Sequence, residues 1–242
     1  MAISNNHPDG RIIAIGDIHG CSFALESLLD VIRPTLHDQI VCLGDVVDCG
    51  RETRNVLDTL LNLREQCQLT MILGNHEEML LNAFDDSGLL STWLNLGGYD
   101  TINSYRYAGT IADIPSDHIA FIREFRDFFE TEGHIFTHAN YDPELPLAEM
   151  PGHVLRWSLL EEPFPTPHRS GKVAIVGHTE QHNGEILDLE HVKCIDTCCH
   201  GYGWLTALDV NSGNYWQTSR WGAFREGETI DGLHQARSVL HS

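Results

Sequence analysis

Three short apolar runs near the start of the chain each end in glycine and pass at once into ligand-type polar residues. Residues 11–16 (RIIAIG) precede Asp17-Ile18-His19-Gly20. Residues 39–44 (QIVCLG) precede Asp45-Val46-Val47-Asp48, and residues 69–74 (LTMILG) precede Asn75-His76-Glu77. Six-residue apolar runs bounded by turn residues read as buried strands. Between them, residues 22–33 carry apolar side chains at helical spacing and stop at Pro34. Residues 52–65 place Val56, Leu57, Leu60, Leu61 and Leu63 on or near one face, and residues 77–84 read as a third helix. This β-α-β-α order implies a parallel sheet covered by helices. Sites in such sheets form at the carboxyl ends of the strands, so the three clusters should meet in one crevice.

The rest of the chain alternates less regularly. Residues 89–107 predict a helix interrupted at Gly97-Gly98, and residues 117–129 (DHIAFIREFRDFF) predict an amphipathic helix. A strand at 134–138 follows, then proline-rich loops at 143–151 and 163–167. Further strands are expected at 173–177, 185–189, 191–195, 204–210 and 215–218, with a hairpin turn at 211–214. No repeat or linker divides the chain, so one domain is expected over residues 1–242.

Two later strand ends add imidazoles, His138 in Thr137-His138-Ala139-Asn140 and His178 in Gly177-His178-Thr179. Any one cluster alone reads as a turn, since Asp, Asn and His all favour turns. Five of them at successive strand ends point to a ligand set. The set is Asp, His, Asp, Asn, His, His, without thiolate, which suits Mn, Fe or Zn. Six ligands exceed a closed four-coordinate site. They fit two divalent ions about 3.5–4 Å apart that share a carboxylate and lower the pKa of a bound water. With Asp17 and Asp45 contributing negative charge, such a pair keeps a positive excess that favours phosphate.

The formal net charge of -20 argues against nucleic-acid partners and against docking on anionic membranes. No apolar run approaches a membrane span, and residues 1–10 carry no apolar signal core. The seven cysteines, scattered and odd in number, suit reduced thiols, so a cytoplasmic location is expected.

The motifs GDIHG (16–20), GDVVDCG (44–50), GNHE (74–77), HAN (138–140) and GHT (177–179) resemble, in order and spacing, those of calcineurin-like metallophosphoesterases. The resemblance lies with the phosphoprotein-phosphatase branch, which includes lambda phosphatase and diadenosine tetraphosphate hydrolases. It implies an α/β fold with a central β-sandwich of two mixed sheets flanked by helices. It places Asp17 and His19 on one metal, Asn75, His138 and His178 on the other, and Asp45 between them. It makes His76 the general acid, with Asp48 holding it cationic and oriented. The implied reaction is hydrolysis of phosphomonoesters, on proteins or small molecules, by a hydroxide bridging two metal ions, with manganese the first expectation. Cleavage of dinucleoside polyphosphates is the alternative, and a catalytically weakened, metal-stabilised binding module is a third reading.

Two positions depart from the family pattern. Cys49 stands where the branch has an arginine that grips a phosphate oxygen; Arg156, Arg54 or Arg51 could take over that role, Arg156 first. Asn140 replaces a glycine, which Asn tolerates even in a left-handed backbone. Cys194, Cys198, Cys199 and His200 lack a C-x-x-C pair. They read as packing or as lining of the substrate entrance more readily than as a separate zinc site. Asp196 could orient a ligand histidine or cap a buried turn. The aromatics around Gly97-Gly98 read as core rather than lid.

Overall fold

The alternating first half builds the first of two sheets. The structure, a computed structural model, describes residues 10–225 and 227. Strands β1 (Ile12–Ile15), β2 (Gln39–Cys42) and β3 (Gln68–Met71) alternate with helices α1 (Ser22–Ile32), α2 (Thr53–Leu63) and α3 (Asn75–Asp85). Helices α4 (Leu90–Trp93) and α5 (Tyr99–Tyr105) follow, joined through Leu94–Gly98, and then α6 (Ser116–Ile122). The second half runs β4 (Phe128–Glu130), β5 (His134–Thr137), α7 (Gly152–Trp157), β6 (Val173–Val176), β7 (Leu187–Asp188) and β8 (Val192–Cys194). It ends with β9 (Asp196–Thr197), β10 (Trp204–Asp209), β11 (Tyr215–Thr218) and β12 (Phe224–Arg225).

One sheet has the order β12-β11-β10-β1-β2-β3, with β9 beside β10; the other is β4-β5-β6-β8-β7. Both are mixed. β1, β2 and β3 pair in parallel while β10 runs antiparallel to β1. β5, β6 and β8 are parallel while β4 and β7 run antiparallel at the edges. The architecture is the expected α/β sandwich of two mixed sheets flanked by helices.

The two-residue period of a strand sorts the side chains into layers. Ala14, Val41, Leu43, Phe136, Ile175 and Leu208 point between the sheets and form one buried cluster. Their neighbours Ile13, Ile15, Ile40 and Cys42 face outward and meet Leu25, Leu28, Val56, Leu57 and Leu60 of α1 and α2. On the far side, Ile135, Ala174 and Val176 pack with Leu155 of α7. Both faces of both sheets are covered, which explains why the strands read as continuous apolar runs.

Three expectations need correction. The helix foreseen at 117–129 ends at Ile122, and Phe128–Glu130 is a strand antiparallel to β5. Its aromatic residues carry strand propensity as well as helical spacing, and pairing Phe129 with Phe136 decides the matter. Helix α3 starts at Asn75, two residues earlier than expected, so Asn75 and His76 lie on its first turn. Helix α7 was not foreseen; its six residues are too few to show a period.

Candidate metal centre

The ends of β1, β2, β3, β5 and β6 meet at one edge of the sandwich. Candidate ligand atoms of Asp17, His19 and Asp45 all lie within 4.8 Å of one another, and so do those of Asp45, His138 and His178. Asp45 belongs to both groups: its Oδ2 is 3.6 Å from His19 Nε2 and 3.4 Å from His138 Nε2. Asn75 Oδ1 is 2.9 Å from His138 Nε2, which brings all six expected ligands together.

The ring orientations follow from backbone partners. His19 Nδ1 is 3.0 Å from the Val47 carbonyl and His138 Nδ1 is 2.8 Å from that of Leu43. With Nδ1–H donating to a carbonyl, Nε2 of each ring is the nitrogen turned toward the centre. His178 is reversed: its Nε2 is 3.2 Å from the Trp157 carbonyl, leaving Nδ1 for the centre.

Backbone strain collects here. Among the described residues nine non-glycine residues have positive φ, and six of these are His19, Asp45, Asp48, Cys49, His178 and Cys198, in the loops around the centre. Left-handed backbone at residues with a Cβ costs on the order of 1–2 kcal/mol each and persists only where the surroundings impose it. Asn140 is not among them; its side chain donates to the Leu159 carbonyl instead.

The residues fit a divalent cation pair. Asp17 Oδ1 is buried with no hydrogen-bond partner. A Cβ added to Gly177 would fall 2.0 Å from that oxygen, so the glycine lets the next loop close over it. Burial and the neighbouring Asp196 and Asp45 carboxylates push Asp17 well above the usual carboxylate range. Burial likewise raises Glu77 and Asp196 to about 7, and lowers His19 and His178 to about 4. Asp45 stays ionised despite its burial because His138, His76 and His19 surround it. Buried, mutually repelling carboxylates beside the uncharged imidazoles of His19 and His178 are a donor set that cations would satisfy.

His76 stands beside the ligands and makes a different contact. Its Nδ1 lies 2.9 Å from Oδ2 of Asp48. Burial opposes charging His76, but the Asp45 and Asp48 carboxylates outweigh it and raise its pKa to about 9. Asp48 is itself fixed by the Trp93 indole N–H at 2.9 Å and the Thr101 hydroxyl at 2.7 Å. Trp93 is core, as expected, and also serves Asp48, whereas Tyr99 and Tyr107 are exposed rather than core. The Gly97-Gly98 break lets α4 and α5 approach: a Cβ on Gly97 would sit 3.0 Å from Asp48 Cβ and 3.1 Å from Cys49 Sγ.

Three contributors escaped the sequence reading. Glu77, fully buried, accepts backbone N–H groups from Asp45, Val46, Val47 and Gly74, and so ties the β2 loop to the β3 loop. Its place in GNHE was visible, but a carboxylate serving backbone donors has no sequence signal. Thr101 reaches the site from a distant segment, and Glu180 follows the GHT motif directly without being part of it.

The arginines are placed less simply. Arg156 directs Nε and Nη2 at Glu78, at 2.9 and 2.7 Å, and Nη1 at Asp127, at 2.6 Å. Arg54 Nε is 3.8 Å from the exposed Asp58. Arg51 is exposed and lines a cavity of about 220 Å³ with Gly20, Gly50, Arg220 and Trp221. Cys49 Sγ lies within 4.8 Å of ligand atoms of His19 and His76. The four-residue cysteine cluster splits: Cys194 Sγ donates to the Gly177 and Thr179 carbonyls, Cys199 pairs with Cys21, and Cys198 and His200 turn to Glu180. Asp196 caps its turn by accepting the Cys198 N–H.

The sequence profile of the calcineurin-like phosphoesterases matches residues 10–210, the span that contains every candidate ligand of the centre. The chain belongs to that family. It is 40% identical over 96 residues to serine/threonine-protein phosphatase 2 of Escherichia coli (strain K12), covering 39% of this chain and 41% of that protein. It is 39% identical over 69 residues to the symmetrical bis(5'-nucleosyl)-tetraphosphatase of Nitrosomonas europaea, covering 28% of this chain and 25% of that enzyme. The chain therefore spans less than half the length of these curated relatives. A solved structure proposed to be a diadenosine tetraphosphatase superposes with a TM-score of 0.66 at 20% identity, covering 92% of this chain and 96% of that one; this is a likeness of fold.

Proposed function

We propose that this chain, working as one domain, is a metal-dependent phosphoesterase that hydrolyses phosphomonoesters of the kind borne by phosphoproteins. The observation that supports it most is the membership of Asp45 in both ligand groups, with the His76–Asp48 pair alongside. Asp17 and His19 would hold one cation, Asn75, His138 and His178 a second, and Asp45 both. Manganese suits this oxygen and imidazole set, as do iron and zinc. Bound there, the ions would supply Lewis acidity toward phosphoryl oxygens and an activated water near neutral pH.

The remaining chemistry falls to the chain's own side chains. His76 donates its proton to the departing oxygen, and Asp48 keeps the ring protonated and aimed. Trp93 and Thr101 hold Asp48 still, and Glu77 holds the loops that carry Asp45 and Asn75. A binder without turnover would have no use for a buried carboxylate aimed at a non-ligand histidine. The seven free thiols fit a reducing, cytoplasmic compartment, and no described helix is long and apolar enough to cross a membrane.

Cleavage of dinucleoside polyphosphates is the second reading, favoured by the tetraphosphatase relatives at similar identity. Assaying the purified chain with added Mn against p-nitrophenyl phosphate, phosphopeptides and diadenosine tetraphosphate separates the two. Turnover of the first two that is lost in Asp45→Asn supports the proposal. Preference for the dinucleotide moves the assignment to the second reading, and no turnover of any substrate with Mn, Fe or Zn refutes both.

A further inference from the structure

Next to the six-ligand centre lies a second cluster of ligand-type side chains that the proposed reaction does not use. His200 Nε2 is 2.7 Å from Oε1 of Glu180, and Cys198 Sγ is 3.5 Å from its Oε2. The candidate ligand atoms of all three lie within 4.8 Å of one another. His182 Nδ1, on an exposed side chain, is 3.4 Å from the same Glu180 Oε2. We propose that Glu180, Cys198 and His200 form a further metal site that takes a zinc-like divalent ion, with His182 or water in the fourth position.

The donor chemistry and the spacing agree. A tetrahedral zinc ion with bonds of about 2.0–2.3 Å holds its ligand atoms roughly 3.3–3.8 Å apart. Cys198 Sγ already stands at that separation from Oε2 of Glu180 while His200 Nε2 meets Oε1, and with one ligand atom from each residue within 4.8 Å of the others, a small turn of the carboxylate and the imidazole brings the three to metal spacing. One thiolate, one imidazole and one carboxylate with a fourth position open form a softer set than the oxygen and imidazole centre beside it. The two places therefore differ in metal preference.

The backbone supplies an independent observation. Cys198 has a φ of 60° in a tight turn whose carbonyl accepts N–H groups from both Gly201 and Gly203. A glycine would take this conformation without strain, whereas a residue with a Cβ pays on the order of 1–2 kcal/mol. The turn thus keeps a thiol, 6% exposed, aimed at Glu180 where the backbone favours none. On the other side the His200 ring meets the His19 ring edge-on at 4.8 Å between centroids. A cation at this cluster would sit beside the first centre and add positive charge on the side where Cys49 is neutral. Binding would release the thiol proton to solvent, and no electron would move.

Cobalt(II) is the probe. A thiolate ligand gives Co(II) a sulfur-to-metal charge-transfer absorption in the near ultraviolet that oxygen and nitrogen ligands do not give. Titrating the full chain with Co(II) should produce this band, abolish it in Cys198→Ser, and retain it in Cys49→Ser, the other thiol within reach of metal. Glu180→Gln, which keeps the thiol, should weaken the Co(II) affinity read from the same band by at least tenfold; it guards against a Cys198→Ser variant that fails to fold. No band in the wild-type chain, a band that survives Cys198→Ser, a band lost in Cys49→Ser, or an unchanged affinity in Glu180→Gln would overturn the proposal. None of these readouts depends on phosphatase turnover, so failure here and failure of the proposed function remain separate.

Discussion

His76 Nδ1 and Asp48 Oδ2 stand 2.9 Å apart, and the carboxylate is wholly buried while the ring keeps an exposed edge. A proton donor at the rim is thus backed by a fixed charge in the interior. With its pKa raised to about 9, His76 is protonated at neutral pH and loses its proton only as the pH passes that value. Turnover of an alkyl phosphate, whose leaving oxygen needs a proton, should therefore hold level through neutral pH and fall above about 9. Asp48→Asn should move that fall to lower pH. A pH–kcat profile for both proteins checks this, and an alkaline limb that stays in place in Asp48→Asn would contradict the pairing.

The roles of Asp45 and His76 separate by leaving group. Asp45→Asn removes the carboxylate common to both ligand groups, so metal content and turnover should collapse on every substrate. His76→Asn should cost about 10²–10⁴-fold on alkyl phosphates and far less on p-nitrophenyl phosphate, whose leaving group departs unprotonated. Kinetics of both variants on both substrates, with elemental analysis, supply the comparison. Equal losses from the two changes on both substrates would sink the assignment.

Metal uptake should depend on pH with a definite sign. Without cations, burial raises Asp17, Glu77 and Asp196, so these groups hold protons that the unfolded chain has already lost near pH 5. Their contribution to folding is therefore greatest at low pH and declines as pH rises toward 7. His19 and His178, lowered to about 4, act oppositely: their contribution is present above about 6.5 and is lost as pH falls toward 4. A cation must displace the Asp17 proton and needs neutral imidazoles, so both groups favour it at higher pH. Thermal unfolding with and without Mn should show a larger metal-dependent rise in Tm at pH 8 than at pH 5. A shift of equal size at both values would argue against ligation by these residues.

The parallel strands, the two-residue layering and the convergence of the six candidate ligands were legible because each has local cause. A buried strand needs a continuous apolar run, and the candidate ligands follow directly at the strand ends, after glycine in four cases and after Thr137 in the fifth. What stayed hidden depends on contacts between distant segments. Phe128 and Phe129 fit helix and strand alike until β5 lies beside them. Glu77 looks like any first-turn glutamate until the backbone N–H groups of Asp45, Val46 and Val47 arrive. Cys198 and His200 lacked a partner in sequence because Glu180, which joins them, lies 18 and 20 residues away.

The Arg11–Asp38 pair offers a test of the fold apart from the site. Arg11 Nη2 is 2.7 Å from Asp38 Oδ2, and both side chains are buried at the start of β1 and β2. Burial alone would raise Asp38, but its bonds from Arg11 and Thr35 hold it down at about 2. The pair's stabilisation is present above about pH 3.9 and is lost as the pH falls through 2. Asp38→Asn leaves the guanidinium buried without its counter-charge and should cost about 3–5 kcal/mol at pH 7. Urea unfolding measures it; a loss below about 1 kcal/mol, the worth of an exposed pair, would show that the burial does not matter.

Cys49 marks where phosphate affinity should be improvable. Its thiol lies beside His19 and His76, at the position where the family resemblance of the motifs implies a phosphate-gripping arginine. Arg156, the first candidate to replace it, has its guanidinium divided between Glu78 and Asp127. Those bonds join α3, the segment before β4 and α7, so Arg156→Ala should lower Tm while leaving KM for phosphomonoesters nearly unchanged. Cys49→Arg should lower that KM about ten- to a hundredfold, matching a charged hydrogen bond of about 1.5–3 kcal/mol. The side chain has a rim to extend over, because Cys49 is only partly buried, although Gly97 closes in on its sulfur side. Steady-state kinetics on one aryl phosphate decide between the two residues. If Arg156→Ala raises KM tenfold and Cys49→Arg changes nothing, Arg156 leaves its ion pairs to hold the substrate, and the static arrangement of its guanidinium is a poor guide to its role.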